Sequence, residues 1–330
     1  MTEYLLLFTK LLVMALCIIP ASLILHELGH LSGGLISGYR LVYIEFFGLV
    51  LWGKRARAAG EKAKFVTGLP SGQCVMAPGE NKKKDPGMLI GGGCLVTLLL
   101  AVLGLFMLLW QMMTDTLAPN SIDIFLFYFL TLVVNAILLV INWFGKDPTN
   151  DGNTFRLVKS EIRQRVIYDR TAKVAEGLAA GMSYGEIFAK YGKEFFDVTE
   201  VMGSLAEELW LYGIYARIEN ASDGGVMQAV RKEIDYQLNE ESSFYDEIIC
   251  EKEILDLLQM KPGEAAEKVK TVYGYGMGSP DRELLKEEIK EIHEDAPRKR
   301  SSRTVIYLKK RVLFRGQLET VGKTIANNIR

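Results

Sequence analysis

The chain has 330 residues, of which 49% are hydrophobic and 24% are charged, so it is long enough for two domains. Its formal net charge of −1 at pH 7 gives no reason to expect nucleic acid as a partner. The charges are unevenly placed, because residues 88–145 contain no Lys or Arg and only two acids, Asp115 and Asp123. We therefore predict a membrane-embedded first domain, residues 1–152, and a soluble second domain, residues 153–330.

The cysteines suggest neither a disulfide framework nor a thiolate metal site. None of them is in C-x-x-C spacing, and two lie in apolar stretches. They are Cys17, Cys74, Cys94 and Cys250.

The first element is an apolar stretch over residues 4–36, interrupted by Lys10 and Pro20. A cleaved signal peptide is the alternative, but the chain starts MTEY, with an acid and no basic residue. We predict a first transmembrane helix, kinked near Pro20 and ending at Gly38.

This helix contains the motif His26-Glu27-Leu28-Gly29-His30, an H-E-x-x-H sequence. Residues i and i+4 share one helix face, so both imidazoles can bind one Zn²⁺ while Glu27 acts as general base. The alternative is a pair of hydrogen-bonded core histidines. However, ionisable groups at membrane depth cost free energy and are found mainly at functional sites. The motif predicts one zinc ion per chain. Ile36 stands where a metzincin has its third histidine, so the third ligand must come from elsewhere.

The loop over residues 39–86, called loop one below, is basic, with nine Lys or Arg residues, and it is rich in strand-forming residues. The predicted strands are 41–47, 49–52, 65–66 and 73–76. We expect a small membrane-associated sheet, whose edge could bind a peptide as an added strand.

Two further spans are predicted, over residues 88–113 and 122–144. The second span begins with Gly91-Gly92-Gly93, which would let another helix approach closely. Loop one is basic, the next connector has no basic residue and the C-terminal part is rich in them. The positive-inside rule therefore predicts a multi-pass cell-membrane protein with its N-terminus outside and its C-terminal domain in the cytoplasm.

The third metal ligand is sought in the segment after the third span. This topology brings Asp151 to the same membrane level as the two histidines, and Gly152 would allow a tight turn that aims its carboxylate at them. An ordinary loop turn is the alternative reading of an Asp-Gly pair. Asp147 is a competing candidate for the ligand.

Over about residues 1–160 the chain resembles the site-2 protease family of intramembrane zinc metalloproteases. That family pairs an H-E-x-x-H helix with an Asp-Gly motif after a later span, as His26–His30 and Asp151-Gly152 do here. Residues 92–97 look like a diverged copy of its glycine-rich segment, with Cys94 in place of the usual Pro and Thr97 in place of the usual Asn.

The resemblance implies hydrolysis of peptide bonds in membrane-spanning or membrane-associated substrates, for regulated proteolysis or signal-peptide clearance. The ligands would be His26, His30 and Asp151, with Glu27 as general base. The residues matching the family's substrate-positioning motifs are Gly92, Gly93, Thr97 and Asn142. The alternatives are an inactive relative that binds partners as a membrane-anchored scaffold and a zinc hydrolase that cleaves a non-peptide bond.

The C-terminal half has helical patterns broken by Gly and Pro. The predicted helices are 154–180, 183–191, 198–220, 225–238, 242–260, 262–272 and 281–293. Their spacing weakly resembles a tetratricopeptide array, which would bind a protein partner; a bundle that steadies the membrane core is the alternative. The basic tail, with basic residues in 298–300, 309–311 and at 315, could contact anionic lipid or be a solvated helix. His293 is expected at the surface.

Overall fold

The computed structural model describes residues 2–67, 72–79, 85–114, 121–145, 150–198, 204–221, 224–238, 244–260, 279–293 and 303–329. In these residues the chain is mainly α-helical with a small antiparallel sheet, as predicted. It forms two compact units, residues 1–47 with 70–165 and residues 48–69 with 166–330. This division differs from a boundary at residue 152, because the helix after the third span stays with the first unit and part of loop one belongs to the second.

The helices and strands of the described residues are α1 (Thr2–Ser37), β1 (Tyr39–Phe46), β2 (Leu49–Trp52), α2 (Lys54–Ala58), β3 (Lys64–Phe65), β4 (Gly72–Pro78), α3 (Gly87–Thr114), α4 (Ser121–Phe144), α5 (Asp151–Ser160), α6 (Ile162–Ala179), α7 (Tyr184–Tyr191), α8 (Ser204–Glu219), α9 (Gly224–Gln237), α10 (Tyr245–Gln259), α11 (Pro280–His293), α12 (Arg303–Arg311) and α13 (Arg315–Asn328). In the described parts of the chain one 3-10 turn, Lys193–Phe195, follows α7.

Among the residues that the structure describes, three helices of the first unit are long and apolar enough to cross a membrane, by length and composition alone. They cover Tyr4–Ser37, Gly87–Thr114 and Ile122–Phe144, which agree with the predicted spans. Helix α1 continues through Pro20 and ends at Ser37. Gly38 follows with a φ of 77°, the left-handed conformation that glycine adopts at a helix end.

Helices α1 and α3 approach so closely that only glycine fits at the contact. A Cβ on Gly92 of α3 would lie 2.3 Å from the carbonyl oxygen of Gly29 on α1, and one on Gly33 would lie 2.0 Å from the carbonyl oxygen of Met88. Small residues allow such backbone contact between helices in a membrane. This contact places the α3 backbone against the face of α1 that carries the two histidines.

Polar pairs join α1 to α4. The Lys10 ammonium donates to both carboxylate oxygens of Asp123 at 2.9 Å. The buried Asn135 amide of α4 donates at 3.1 Å to the hydroxyl of Ser22, which lies one turn before His26 on α1. Lys10 precedes Ser22 by 12 residues, or about 18 Å of helix, so the two pairs join α1 to α4 at two well-separated levels.

The strands lie close to their predicted positions. In the first unit β1 pairs antiparallel with β4, from Tyr39 opposite Pro78 to Phe46 opposite Gly72, with a register shift between Leu41 and Tyr43. In the second unit β2 pairs antiparallel with β3, with Leu49 opposite Phe65.

The predicted helix 154–180 is wrong in one respect, because the structure contains two helices, α5 and α6. Glu161 between them is extended, with φ −141° and ψ 133°, so the helical hydrogen bonding is interrupted. Most of the other predicted helices are present within a few residues of their expected ends. The predicted helix 262–272 lies outside the described residues, and the repeat-like arrangement stays a prediction. Helix α13 was not predicted.

The second unit buries several charged side chains. On α8, the Glu219 carboxylate accepts from the Ser183 hydroxyl at 2.6 Å and from the Gly185 backbone N–H at 2.9 Å. Between α10 and α11, the Arg282 guanidinium donates to both oxygens of Glu251 at 2.7 Å. Hydrogen bonds and ion pairs of this kind offset the free-energy cost of removing a charged group from water.

His293 corrects a second expectation, because it is buried rather than at the surface. Its exposed fraction is 2%, and Nε2 donates to the Leu257 carbonyl at 2.8 Å. The surrounding sequence is rich in acids, but α11 turns this position toward α10.

We expect Gly92→Ala to lower the stability of the helical bundle by about 1–3 kcal/mol, because its Cβ would overlap the Gly29 backbone. Gly91→Ala is the matched control, since a Cβ there would meet Phe155 at 3.6 Å, an ordinary contact. Thermal unfolding in detergent measures both variants. Equal melting temperatures would contradict the close contact.

We expect Glu219→Ala to destabilise the second unit by about 2–3 kcal/mol, because it leaves two buried donors without their charged acceptor. Glu319→Ala is the control, since that side chain is 53% exposed and lies 3.9 Å from Lys323; it should change stability by less than about 0.5 kcal/mol. Urea denaturation followed by circular dichroism compares them.

Candidate metal centre

The structure brings His26, His30 and Asp151 to one point, although 125 residues separate His26 from Asp151. The Nε2 atoms of the two imidazoles are 3.1 Å apart. One carboxylate oxygen of Asp151, Oδ2, lies 3.0 Å from His26 Nε2 and 3.2 Å from His30 Nε2. These three atoms form a nearly equilateral triangle.

The opposite nitrogen of each ring has a partner that fixes where its hydrogen lies. His30 Nδ1 is 2.8 Å from the Leu89 carbonyl oxygen, which can only accept, so Nδ1 carries the hydrogen. His26 Nδ1 is 2.8 Å from the Thr97 hydroxyl oxygen. That hydroxyl donates its own hydrogen to the Gly93 carbonyl at 3.1 Å, so it accepts from His26. In the neutral imidazoles both Nε2 atoms therefore present lone pairs.

A carboxylate oxygen and two nitrogen lone pairs repel one another unless positive charge lies among them. A proton can bridge one pair of these atoms, whereas a metal ion can bind all three. Ligand atoms about 2.0–2.1 Å from a tetrahedral zinc ion are about 3.3–3.4 Å apart, and the triangle here has sides of 3.0–3.2 Å. The donor set and its spacing therefore fit a metal ion.

Gly93 provides the room for this arrangement. A Cβ built on Gly93 would lie 2.3 Å from His30 Nε2 and 2.7 Å from His26 Nε2. Any side chain at this position would displace the imidazoles or enter the space between the ligand atoms. The α3 backbone can thus lie directly against the triangle only because residue 93 is glycine.

Asp151 reaches the triangle from the first turn of α5, and the expected tight turn at Gly152 is wrong. Asn150 caps α5: its side-chain oxygen accepts from the Asn153 backbone N–H at 2.9 Å, and its amide donates to the Gly145 carbonyl at 2.7 Å. Gly152 is helical and serves a close approach instead, because a Cβ there would lie 2.0 Å from the Trp143 carbonyl oxygen.

Three side chains contact the Asp151 carboxylate: His26, His30 and Cys94. Burial alone would raise the pKa of this carboxyl, but when an imidazole carries a proton between these atoms, its hydrogen bond and charge outweigh burial and hold the pKa below its usual range. Asp151 is therefore a carboxylate at neutral pH. The Cys94 thiol lies 3.5 Å from Oδ2 and can donate to it.

The far end of α5 is tied to α3 as well. The Lys159 ammonium contacts Asp85, whose other oxygen accepts from the Gly87 backbone N–H at 2.8 Å. The hydrogen bond with Lys159 lowers the pKa of Asp85 below its ordinary value. This pair links the C-terminal end of α5 to the residue pair just before α3.

Glu27 lies beside the triangle without being one of its corners. Each of His26, Glu27 and His30 has one atom able to bind a metal, a ring nitrogen or a carboxylate oxygen, and these three atoms lie within 4.8 Å of one another. Glu27 is 7% exposed. The start of β4 contacts it, since a Cβ on Gly72 would lie 2.9 Å from Glu27 Oε1. Glu45 on β1 is fully buried and lies within electrostatic range of Glu27.

The other predicted site residues are placed differently. Gly92 contacts the Gly29 backbone rather than the ligand atoms, and Thr97 bonds to His26. Asn142 is half-buried on α4 and, within the described part of the chain, makes no hydrogen bond with the three ligand residues. Asp147, the competing ligand, lies outside the described residues.

Sequence reasoning missed three features of the centre: the Leu89 carbonyl, the Asn150 cap and the buried Glu45. A backbone carbonyl has no residue-type signal. Asn150 did have one, because Asn is a preferred N-cap residue and a helical pattern follows it. Glu45 is a single acid in a run of strand-forming apolar residues, which is itself a signal.

No family model, curated protein or solved structure matches this chain. The resemblance to the site-2 proteases therefore rests on the residues quoted above and on the geometry of this centre.

We expect Gly93→Ala to weaken binding of Co²⁺, used as a spectroscopic probe, by at least about 10- to 100-fold, because its Cβ would crowd both Nε2 atoms. Gly91→Ala on the same helix is the control and should bind Co²⁺ as the wild type does. Titration followed by visible absorption measures the affinity. Unchanged binding by Gly93→Ala would show that the ion binds elsewhere.

Proposed function

We propose that this chain is an intramembrane zinc metalloprotease of the site-2 protease type. One observation carries the proposal: three acceptor atoms from His26, His30 and Asp151 converge with an acid, Glu27, beside them. Two imidazoles and a carboxylate are a donor set that catalytic zinc uses with a further position open to water or substrate. We infer one zinc ion per chain.

Zinc bound there would supply Lewis-acid chemistry by polarising a peptide carbonyl and the attacking water. The chain's own residues supply orientation and proton transfer. Leu89 and Thr97 hold the imidazoles with Nε2 toward the centre. Glu27 accepts a proton from the attacking water as the new C–O bond forms, then gives it to the amide nitrogen as the C–N bond breaks.

The proposed substrate is a membrane-spanning or membrane-associated polypeptide. Its support is the position of the centre on α1 and α3, two helices that are long and apolar enough to cross a bilayer. Strand β4 begins against Glu27, so an extended segment pairing with this backbone would lie beside the proton-transferring group. The basic loop one favours the cytoplasmic side for this end of α1, with the C-terminal domain cytoplasmic and the N-terminus outside.

An inactive scaffold is the main rival, and the site geometry argues against it. A chain that only binds partners needs neither a buried Glu27 nor fixed imidazole tautomers beside a carboxylate. The second rival, hydrolysis of a non-peptide bond, would use the same groups, so the two are separated by their substrates. The helical second unit is proposed to dock a protein partner or substrate.

We expect purified protein in detergent to contain about one zinc per chain. Glu27→Gln should retain the metal because Glu27 is not a ligand, whereas His26→Ala and Asp151→Ala should lose it. Elemental analysis after gel filtration measures all four proteins. A folded wild type without zinc, or loss of zinc only in Glu27→Gln, would refute the assignment.

Cleavage is tested on solubilised membrane proteins incubated with wild type or Glu27→Gln. We expect new N-termini, within or beside apolar spans, in the wild-type digest alone, because Glu27 transfers the proton. Mass spectrometry of labelled N-termini identifies them. A metal-loaded wild type that generates no such termini would favour the scaffold or the non-peptide hydrolase.

A further inference from the structure

Thr97 is fully buried on α3, and its hydroxyl is used in two directions. The oxygen lies 2.8 Å from His26 Nδ1 and 3.1 Å from the carbonyl oxygen of Gly93, one turn earlier on the same helix. A carbonyl oxygen cannot donate, so the hydroxyl hydrogen points to Gly93 and the hydroxyl lone pair faces the imidazole.

This arrangement decides the tautomer of His26. With a lone pair facing it, Nδ1 is favoured as the nitrogen that carries the hydrogen, and Nε2 is left with its lone pair toward Asp151 and His30. The other tautomer would put a lone pair of Nδ1 against a lone pair of Thr97 in a buried setting, which costs free energy. The hydroxyl therefore also fixes the orientation of the ring.

We propose that Thr97 is a positioning residue, which holds His26 as a metal ligand rather than contacting substrate. The inference rests on the proposed metal site and adds a role that the substrate-positioning expectation did not include. The same turn of α3 performs two tasks, because Gly93 leaves room for the Nε2 atoms while its carbonyl orients the hydroxyl that orients His26.

The two histidines provide an internal comparison. His30 is oriented by a backbone carbonyl, Leu89, which no side-chain substitution removes. His26 is oriented by a side chain. A change at residue 97 should therefore loosen His26 alone and leave His30 and Asp151 in place.

The test compares Thr97→Val, which keeps the branched shape but has no acceptor, with Thr97→Ser, which keeps the hydroxyl. We expect Thr97→Val to bind Zn²⁺ about 10- to 100-fold more weakly in competition with a chelator and to change the ligand-field absorption of bound Co²⁺. Thr97→Ser should restore both to near the wild-type values.

Thr131→Val is the matched control, because the Thr131 hydroxyl donates to the Phe127 carbonyl within its own helix, α4, at 2.8 Å. It should leave zinc affinity unchanged. Thermal unfolding of the metal-free proteins checks that Thr97→Val is folded: it should unfold in one cooperative transition, at a melting temperature somewhat below the wild type's because His26 Nδ1 loses its buried partner. When zinc is added, the difference between the two melting temperatures should increase.

The outcomes separate this inference from the proposed function. A wild type that binds no zinc refutes the metal site itself. A wild type that binds zinc, with Thr97→Val binding equally tightly and giving the same Co²⁺ spectrum, refutes the positioning role and leaves the metal site standing. Weak binding by both Thr97→Val and Thr97→Ser would also refute it, because the hydroxyl would then not be the group that matters.

Discussion

The centre depends on the contact between α1 and α3, where two backbones meet without side chains between them. Gly29 and Gly33 on α1 lie against Gly92 and Met88 on α3. With this spacing the Leu89 carbonyl, the Gly93 backbone and the Thr97 hydroxyl all reach the histidine face. If α1 and α3 were farther apart by the width of one methyl group, each of these contacts would be lost. The same glycines therefore determine both the helix packing and the geometry of the site.

Electrostatics then explains why three polar side chains converge in an apolar bundle. Their lone pairs and charge repel one another when no cation is present, and burial increases that repulsion because water cannot screen it. Hydrogen bonds to Nδ1 of each ring, and the cap that positions Asp151, offset part of this repulsion in the folded chain. Metal binding would return part of that free energy, which couples the stability of the bundle to the ion.

The sequence was sufficient for features that depend on spacing along the chain. Helical spacing identified His26 and His30 on one face, apolar length identified the three long helices, and strand-forming runs identified the strands. It was insufficient where a residue's environment is set by tertiary packing. Gly152 was expected in a turn but lies in a helix against Trp143, and His293 was expected outside but is buried. Neither outcome has a local pattern, since each depends on which neighbour faces the position.

Cys94 and Thr97, where the chain departs from the pattern of the family it resembles, lie beside the three proposed ligands and are not among them. The two residues are three apart on α3, so they lie on neighbouring parts of one face. Cys94 contacts Asp151, and Thr97 contacts His26. A thiol can donate and a hydroxyl can donate and accept, so either can orient a ligand without binding the ion. In the proposed metal site, exchange of such supporting groups would change how tightly a ligand is held without changing the two imidazoles, the carboxylate or Glu27.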